Sequence, residues 1–103
     1  MELIIERRGV AEGPDGVRLE LIGALDLVTR DTLVEAGRDL LAGGSDLTLD
    51  MAHVTFIDST GIGALIALHK SARTGGGTLR IVRPSTCVTR ILEVTGLAGT
   101  WST

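Results

Sequence analysis

The spacing of apolar positions changes several times along the chain, and each change predicts a different element. Alternation at every second residue, typical of a half-buried strand, covers 17–22 and returns at 78–82. Between them the apolar residues recur every three or four positions, the spacing of a helix buried on one side. The predicted strands cover 3–10, 17–22, 47–51 continuing through 54–57, and 78–82, and the predicted helices cover about 32–42, 59–72 and 86–95.

Glycine, proline and capping residues predict where these elements end. The turn at 12–16 joins the first two strands into a hairpin, and 23–26 breaks the alternation of the second strand. The first helix begins at Thr29 or, with Glu35 completing a capping box, at Thr32. The third begins at Ser85 or Thr86 and carries, on one side, Val88, Ile91, Leu92 and Val94. Strands that alternate with helices indicate a layered α/β domain whose sheet is partly parallel.

Composition narrows the class of protein. The 103 residues suit one domain spanning 1–103, and a 44% hydrophobic content with only two aromatic residues requires an aliphatic core. The net charge of -3 comes without a basic run, which argues against direct nucleic-acid binding. No signal peptide is evident, and the longest apolar run, 62–68, is too short for membrane insertion. We therefore expect a cytoplasmic protein, with Trp101 anchored against the core.

Cysteine and histidine offer little chemistry. Cys87 is the single cysteine, so it forms no internal disulfide and is expected to be a small apolar residue on a helix. His53 and His69 are too few and too far from other ligand types to indicate a metal site, and no cofactor is predicted. Asp50 and the scattered arginines, among them Arg83, are interpreted as solvated charges.

The most informative segment runs from 54 to 65, where an apolar approach ends in Asp58-Ser59-Thr60-Gly61 and a helix starts at once. In one interpretation Asp58 or Ser59 is only a helix cap. In the other, the Ser59 hydroxyl is exposed beside free N–H donors at the positive end of the helix dipole. A phosphoryl group placed there would add roughly -1.5 to -2 charge to the surface.

Catalytic interpretations of Ser59 are weaker. The Gly-x-Ser-x-Gly elbow of hydrolases is absent, and so is the Gly-Lys-Ser/Thr motif of phosphate loops. His69 lies about 15 Å along the helix from Ser59, too far to act as its base. Asp26 is either a cap or turn residue or part of the same site.

These residues carry a resemblance to a known family. The chain resembles the anti-sigma factor antagonists of the sulfate transporter and anti-sigma factor antagonist (STAS) domain family over nearly its whole length. The resemblance rests on four stretches: 23–26, 47–50 with 54–63, 76–79, and 94–97. It implies a single STAS-like α/β domain with a mixed sheet of four to five strands, helices mainly on one face, and a shortened C-terminus.

The resemblance also implies a function, that of a switch protein and not an enzyme. The unmodified protein would bind an anti-sigma factor that is also a GHKL-type serine kinase, and so free a sigma factor. Phosphorylation of Ser59 would release the antagonist, and a serine phosphatase would reset it. Partner contacts are expected from the acceptor and its neighbours: Asp26, Asp58, Ser59, Thr60, Gly61 and Ile62.

Two departures and one alternative accompany this resemblance. Ala24 replaces the usual glutamate of the family's Gly-Glu-Leu-Asp loop, and only 98–103 follow the Gly-Leu pair. The alternative function is a STAS module that senses a ligand or nucleotide, with the glycine-lined helix start at 61–63 binding an anion. Weak homodimerisation is left open.

Overall fold

The alternating and apolar segments form strands, and the segments of helical spacing form helices. The structure, a computed structural model, describes residues 2–8, 16–42, 44, 46–97 and 99. Most of the predicted turn at 12–16, and Trp101, lie outside these residues. The elements in chain order are β1 (Leu3–Arg8), β2 (Val17–Leu25), α1 (Arg30–Leu41), β3 (Leu47–Ile57), α2 (Ser59–Gly75), β4 (Leu79–Val82) and α3 (Thr86–Val94).

The described strands form one mixed sheet in the order β1-β2-β3-β4. The first pair is antiparallel, with Leu3 opposite Gly23, whereas β2 with β3 and β3 with β4 are parallel. The parallel pairs follow from the helices α1 and α2, each of which carries the chain back to the start of the next strand. The predicted α/β class with a mixed sheet of four to five strands is confirmed.

The core is aliphatic, as the scarcity of aromatic residues requires. Leu21, Leu49 and Leu65, which are fully buried, represent the contributions of β2, β3 and α2. Helices α1 and α2 pack against each other over the sheet, whereas α3 packs against β3 beyond the end of β4. There the Ser85 amide donates to the Met51 carbonyl oxygen (3.1 Å) and the Cys87 thiol to that of Val54 (3.3 Å).

The extent of β2 and the buried side of α3 differ from their predictions, whereas one of the two predicted starts of α1 is confirmed. Strand β2 continues past Gly23 to Leu25. Its pairing with β3 shifts register twice, between Glu20 and Ile22 and again between Gly23 and Ala24, and the Ala24 amide still donates to the Glu2 carbonyl oxygen (2.9 Å). Helix α1 begins at Arg30 with Thr29 as its N-cap, which is the earlier of the two predicted starts, although the Thr29 side chain makes no capping hydrogen bond. Val94 is 80% exposed and not on the buried side of α3, which holds Val88 and Leu92.

Asp50 is not solvated, because it is buried on the sheet face opposite α1 and α2. Arg18 and Arg83 contact its Oδ2 through Nη2 at 2.9 and 3.0 Å, and we call these three residues the Asp50 cluster. Burial alone raises the pKa of Asp50, but hydrogen bonds from the Ala52 amide and both arginines outweigh it and lower the pKa. Arg83 therefore anchors the turn between β4 and α3, and it does so with a φ of 50°.

Candidate functional site

The two aspartates singled out in the sequence follow neighbouring parallel strands at the same edge of the sheet. Leu25, the last residue of β2, is opposite Ile57, the last residue of β3. Adjacent strands lie about 4.8 Å apart. Asp26 and Asp58 directly follow these two residues and therefore leave this edge side by side, although they are 32 positions apart in the sequence.

Asp58 is the N-cap of α2. Its Oδ1 accepts hydrogen bonds from the Thr60 amide (3.0 Å), the Gly61 amide (3.1 Å) and the Thr60 hydroxyl (2.6 Å). The Thr60 hydroxyl is the main reason that the pKa of Asp58 lies below its ordinary value, with the two amides adding to the effect against partial burial. The cap is therefore a carboxylate at neutral pH, and Thr60 holds its rotamer.

Ser59 is the first residue of α2 and is exposed. Within the described part of the chain its hydroxyl has no hydrogen-bond partner. The expectation of free N–H donors beside it is wrong for Thr60 and Gly61, since the Asp58 carboxylate already accepts from both amides. Ser59 is thus an accessible, unengaged hydroxyl next to a fixed negative charge.

Asp26 organises the loop that follows β2, at the same sheet edge as the start of α2. Its Oδ1 accepts from the amides of Val28 (3.0 Å) and Thr29 (3.1 Å), an Asx-type turn. The buried Thr29 hydroxyl accepts from the Asp26 amide (3.0 Å) and donates to the Ala24 carbonyl oxygen (2.8 Å). This turn leaves Leu27 64% and Val28 79% exposed at its tip.

Gly61 and Ile62 face inward and not toward solvent. A Cβ on Gly61 would lie 2.6 Å from the Leu25 carbonyl oxygen and 2.8 Å from Cγ1 of Ile57. Ile62 is only 5% exposed and belongs to the core. That Gly61 and Ile62 contact a partner stays a prediction. In the structure their close packing holds the start of α2, with Asp58 and Ser59, against the end of β2.

Sequence reasoning missed the exposed apolar residues around the site. Leu27 and Val28 protrude from the Asp26 turn, and we call these two residues the apolar collar. Phe56, which is 39% exposed, instead lines a groove with Cys87 and Ile91 of α3. Two adjacent apolar residues directly after Asp26, outside both the strand alternation and the helical spacing, were the signal that could have revealed it.

The catalytic interpretations of Ser59 gain no supporting contact from the described residues. No base is hydrogen-bonded to Ser59, and His53 lies instead 3.7 Å from Glu20. A group of three or more possible metal ligands is not found among the described side chains. No described helix is long and apolar enough to cross a membrane.

Comparison with known proteins identifies the family. A family model described as "Mlab, STAS domain" matches residues 9–101, so the chain belongs to the STAS domain family. The anti-sigma-B factor antagonist of Bacillus subtilis (strain 168) is 27% identical over 88 residues, which cover 85% of this chain and 81% of that protein.

Two solved structures share the fold. The anti-sigma factor antagonist SpoIIAA in its unphosphorylated form has a TM-score of 0.78 and 19% identity, over 97% of this chain and 86% of that one. The Bacillus cell fate determinant SpoIIAA in the phosphorylated form has a TM-score of 0.73 and 19% identity, over 97% and 89% of the two chains. The fold expected from the sequence is that of these proteins.

Proposed function

We propose that this protein is an anti-sigma factor antagonist whose binding is switched by phosphorylation of Ser59. The observation that carries the proposal is the accessible Ser59 hydroxyl directly behind the Asp58 cap. Support comes from the relatives, since an anti-sigma-B factor antagonist matches most of the chain and SpoIIAA has a phosphorylated form. The protein would act by binding and not as an enzyme.

The partner that we propose is an anti-sigma factor of the GHKL-type serine kinase class, acting in the cytoplasm. The Ser59 oxygen would form a bond to the γ-phosphorus of ATP, ADP would leave, and the hydroxyl proton would be released. A serine phosphatase would reverse the change by hydrolysis, returning the hydroxyl and inorganic phosphate. Asp26, Asp58 and Thr60 would border the contact, with Gly61 and Ile62 setting the start of the helix.

The apolar collar supports binding in the unmodified state. Exposed Leu27 and Val28 offer apolar area that a partner would remove from water. A phosphoryl group on Ser59 adds about -1.5 to -2 charge beside the Asp58 carboxylate. Since the nearby Thr60 and Gly61 amides already bond Asp58, they would not neutralise this charge. Repulsion and the cost of desolvating the phosphate would then weaken the complex.

The same hydrogen bonds weaken the argument for an anion-sensing module. Asp58 Oδ1 takes the position that an anion would occupy at the start of α2. The alternative, a ligand- or nucleotide-sensing STAS module, therefore loses the site on which it depended.

The test is phosphorylation and binding with purified anti-sigma factor kinases of the source organism and ATP. Wild type should bind one kinase and gain one phosphate at Ser59, located by mass spectrometry. Ser59→Ala should bind without gaining phosphate, and Ser59→Asp should bind at least about tenfold more weakly. Thr89→Ala, which removes an exposed hydroxyl from α3, is the control and should behave as wild type. Undiminished labelling of Ser59→Ala, or no binding by wild type, would contradict the proposal.

A further inference from the structure

A groove runs along the outer side of helices α1 and α2, away from the sheet. Its volume is about 700 Å³ and it is open to solvent. Leu41, Ile66 and Ala67 line it with apolar surface, and Arg38 and Lys70 add a cation from each helix. Neither the Asp50 cluster nor the apolar collar contributes to it.

Gly63 lies at the end of this groove nearest the start of α2, and no described contact requires a glycine there. It is exposed inside α2, and a Cβ placed on it would meet nothing within 4 Å. Gly61, two residues earlier, is packed tightly against Leu25. Glycine is among the poorest helix formers, so an interior glycine that no internal contact requires leaves room for a neighbour from outside.

Ser59 and the groove lie on one side of α2. Positions 59, 63, 66 and 70 follow the three- and four-residue spacing of a single helix face. At 1.5 Å per residue, Gly63 lies about 6 Å and Lys70 about 16 Å along the axis from Ser59. A partner that covers Ser59 and continues along this face therefore enters the groove.

The charge of the groove indicates the chemistry of its occupant. Its lining includes Arg38 and Lys70 but no aspartate or glutamate among the described residues, although the whole chain carries a net charge of -3. Apolar surface between two cations suits an amphipathic helix whose apolar side is flanked by carboxylates.

We infer that the groove between α1 and α2 docks an acidic amphipathic helix of the anti-sigma factor partner, with Gly63 as the point of closest approach. This inference rests on the proposed function and extends its contact surface from Ser59 down the side of α2. The helix would place apolar side chains on Ile66 and Ala67 and carboxylates against Arg38 and Lys70.

The test uses the purified anti-sigma factor kinase that phosphorylates Ser59, with affinities measured by titration calorimetry at low and high salt. Arg38→Glu and Lys70→Glu should each weaken binding by about tenfold at low salt, with a smaller effect at high salt. Gly63→Leu should weaken binding at least as much while its melting temperature does not fall, which separates the contact from folding. Arg80→Glu, the same charge reversal at an exposed position on β4, should bind as wild type.

The outcomes separate the two proposals. If wild type binds and Ser59→Asp is weakened but the three groove variants bind normally, the groove inference is overturned and the proposed function stands. If wild type binds no anti-sigma factor, both are overturned. If the groove variants change only self-association in sedimentation experiments, a second copy of the chain is the occupant and the inference is wrong.

Discussion

Helix α2 lies so close to strand β2 that a Cβ on Gly61 would be 2.6 Å from the Leu25 carbonyl oxygen. This approach holds the start of the helix, with Ser59, against the loop that follows Leu25. The two halves of the candidate site are therefore joined by a backbone contact that only glycine allows.

Gly61→Ala should destabilise the protein by about 1–3 kcal/mol, because the new methyl group meets backbone that does not give way easily. Urea unfolding monitored by circular dichroism measures the change. Gly63→Ala is the matched control in the same helix, and it should leave stability unchanged or raise it by up to about 1 kcal/mol. Equal stability of the two variants would show that the contact with Leu25 is not tight.

Replacing the cap of α2 should cost stability in a pH-dependent way. Asp58→Ala should lower the free energy of unfolding by about 1 kcal/mol at pH 7. Asp58→Asn should lower it less, because the asparagine side-chain oxygen can still accept hydrogen bonds from the backbone amides. Because folding lowers the pKa of Asp58 below 3.8, the charged cap stabilises the fold above that pH. The stabilisation disappears as the pH falls through the lowered pKa.

The stability difference between wild type and Asp58→Asn should therefore shrink between pH 7 and pH 3, as measured by urea unfolding. Asp50, whose pKa is also lowered, loses stabilisation in the same direction in both proteins and cancels from the comparison. A difference that stays constant over this range would contradict the assignment of the shift to Asp58.

Arg83 combines an ion pair with an unfavourable backbone conformation, and two substitutions separate these effects. Arg83→Ala should cost about 1–2 kcal/mol, because buried Asp50 loses one of its two cationic partners. Arg83→Gly loses the same ion pair but relieves the φ of 50°, which costs an L residue about 1–2 kcal/mol. Glycine also loses more backbone entropy on folding than alanine does, which offsets part of the relieved strain. Arg83→Gly should therefore be more stable than Arg83→Ala by roughly 0.5–1 kcal/mol in thermal unfolding. The reverse order would rule out strain at this turn.

The Asp26 turn depends on the hydroxyl of Thr29. Thr29→Val keeps the shape but removes the hydroxyl that accepts from the Asp26 amide and donates to the Ala24 carbonyl oxygen, at a cost of about 1–2 kcal/mol. The Val28 amide should then exchange faster with deuterium in nuclear magnetic resonance. Thr29→Ser, which retains the hydroxyl, should stay within about 0.5 kcal/mol of wild type. Slow exchange at Val28 in Thr29→Val would show that the turn holds without the hydroxyl.

Local features of the candidate site could be predicted from the sequence. The Asp58 cap and the start of α2 at Ser59 depend on interactions between residues at most a few positions apart, whereas α2 continues to Gly75, three residues past its predicted end at 72. Helical spacing and strand alternation are also local, so the order of the elements followed from them. The resemblance of the chain to the STAS family then indicated Ser59 as the phosphate acceptor, and that assignment remains a prediction.

Distant relationships were not visible in the chain. Asp50 looked like a solvated strand residue, because nothing local indicates that Arg18 and Arg83, each more than 30 positions away, reach it. Val94 was placed on the buried side of α3, but burial there depends on β3, which lies far away in the sequence.

The sequence by itself determined the elements, their order and the capped serine, because hydrogen bonding and apolar spacing within a few residues specify them. Only the tertiary structure decided that Asp26 lies beside Asp58, since that depends on the register of Leu25 with Ile57. It also separated the two glycines of α2: Gly61 is enclosed by β2, and Gly63 faces an open groove. The physical reason is that identical residues acquire different roles only from the atoms that folding brings against them.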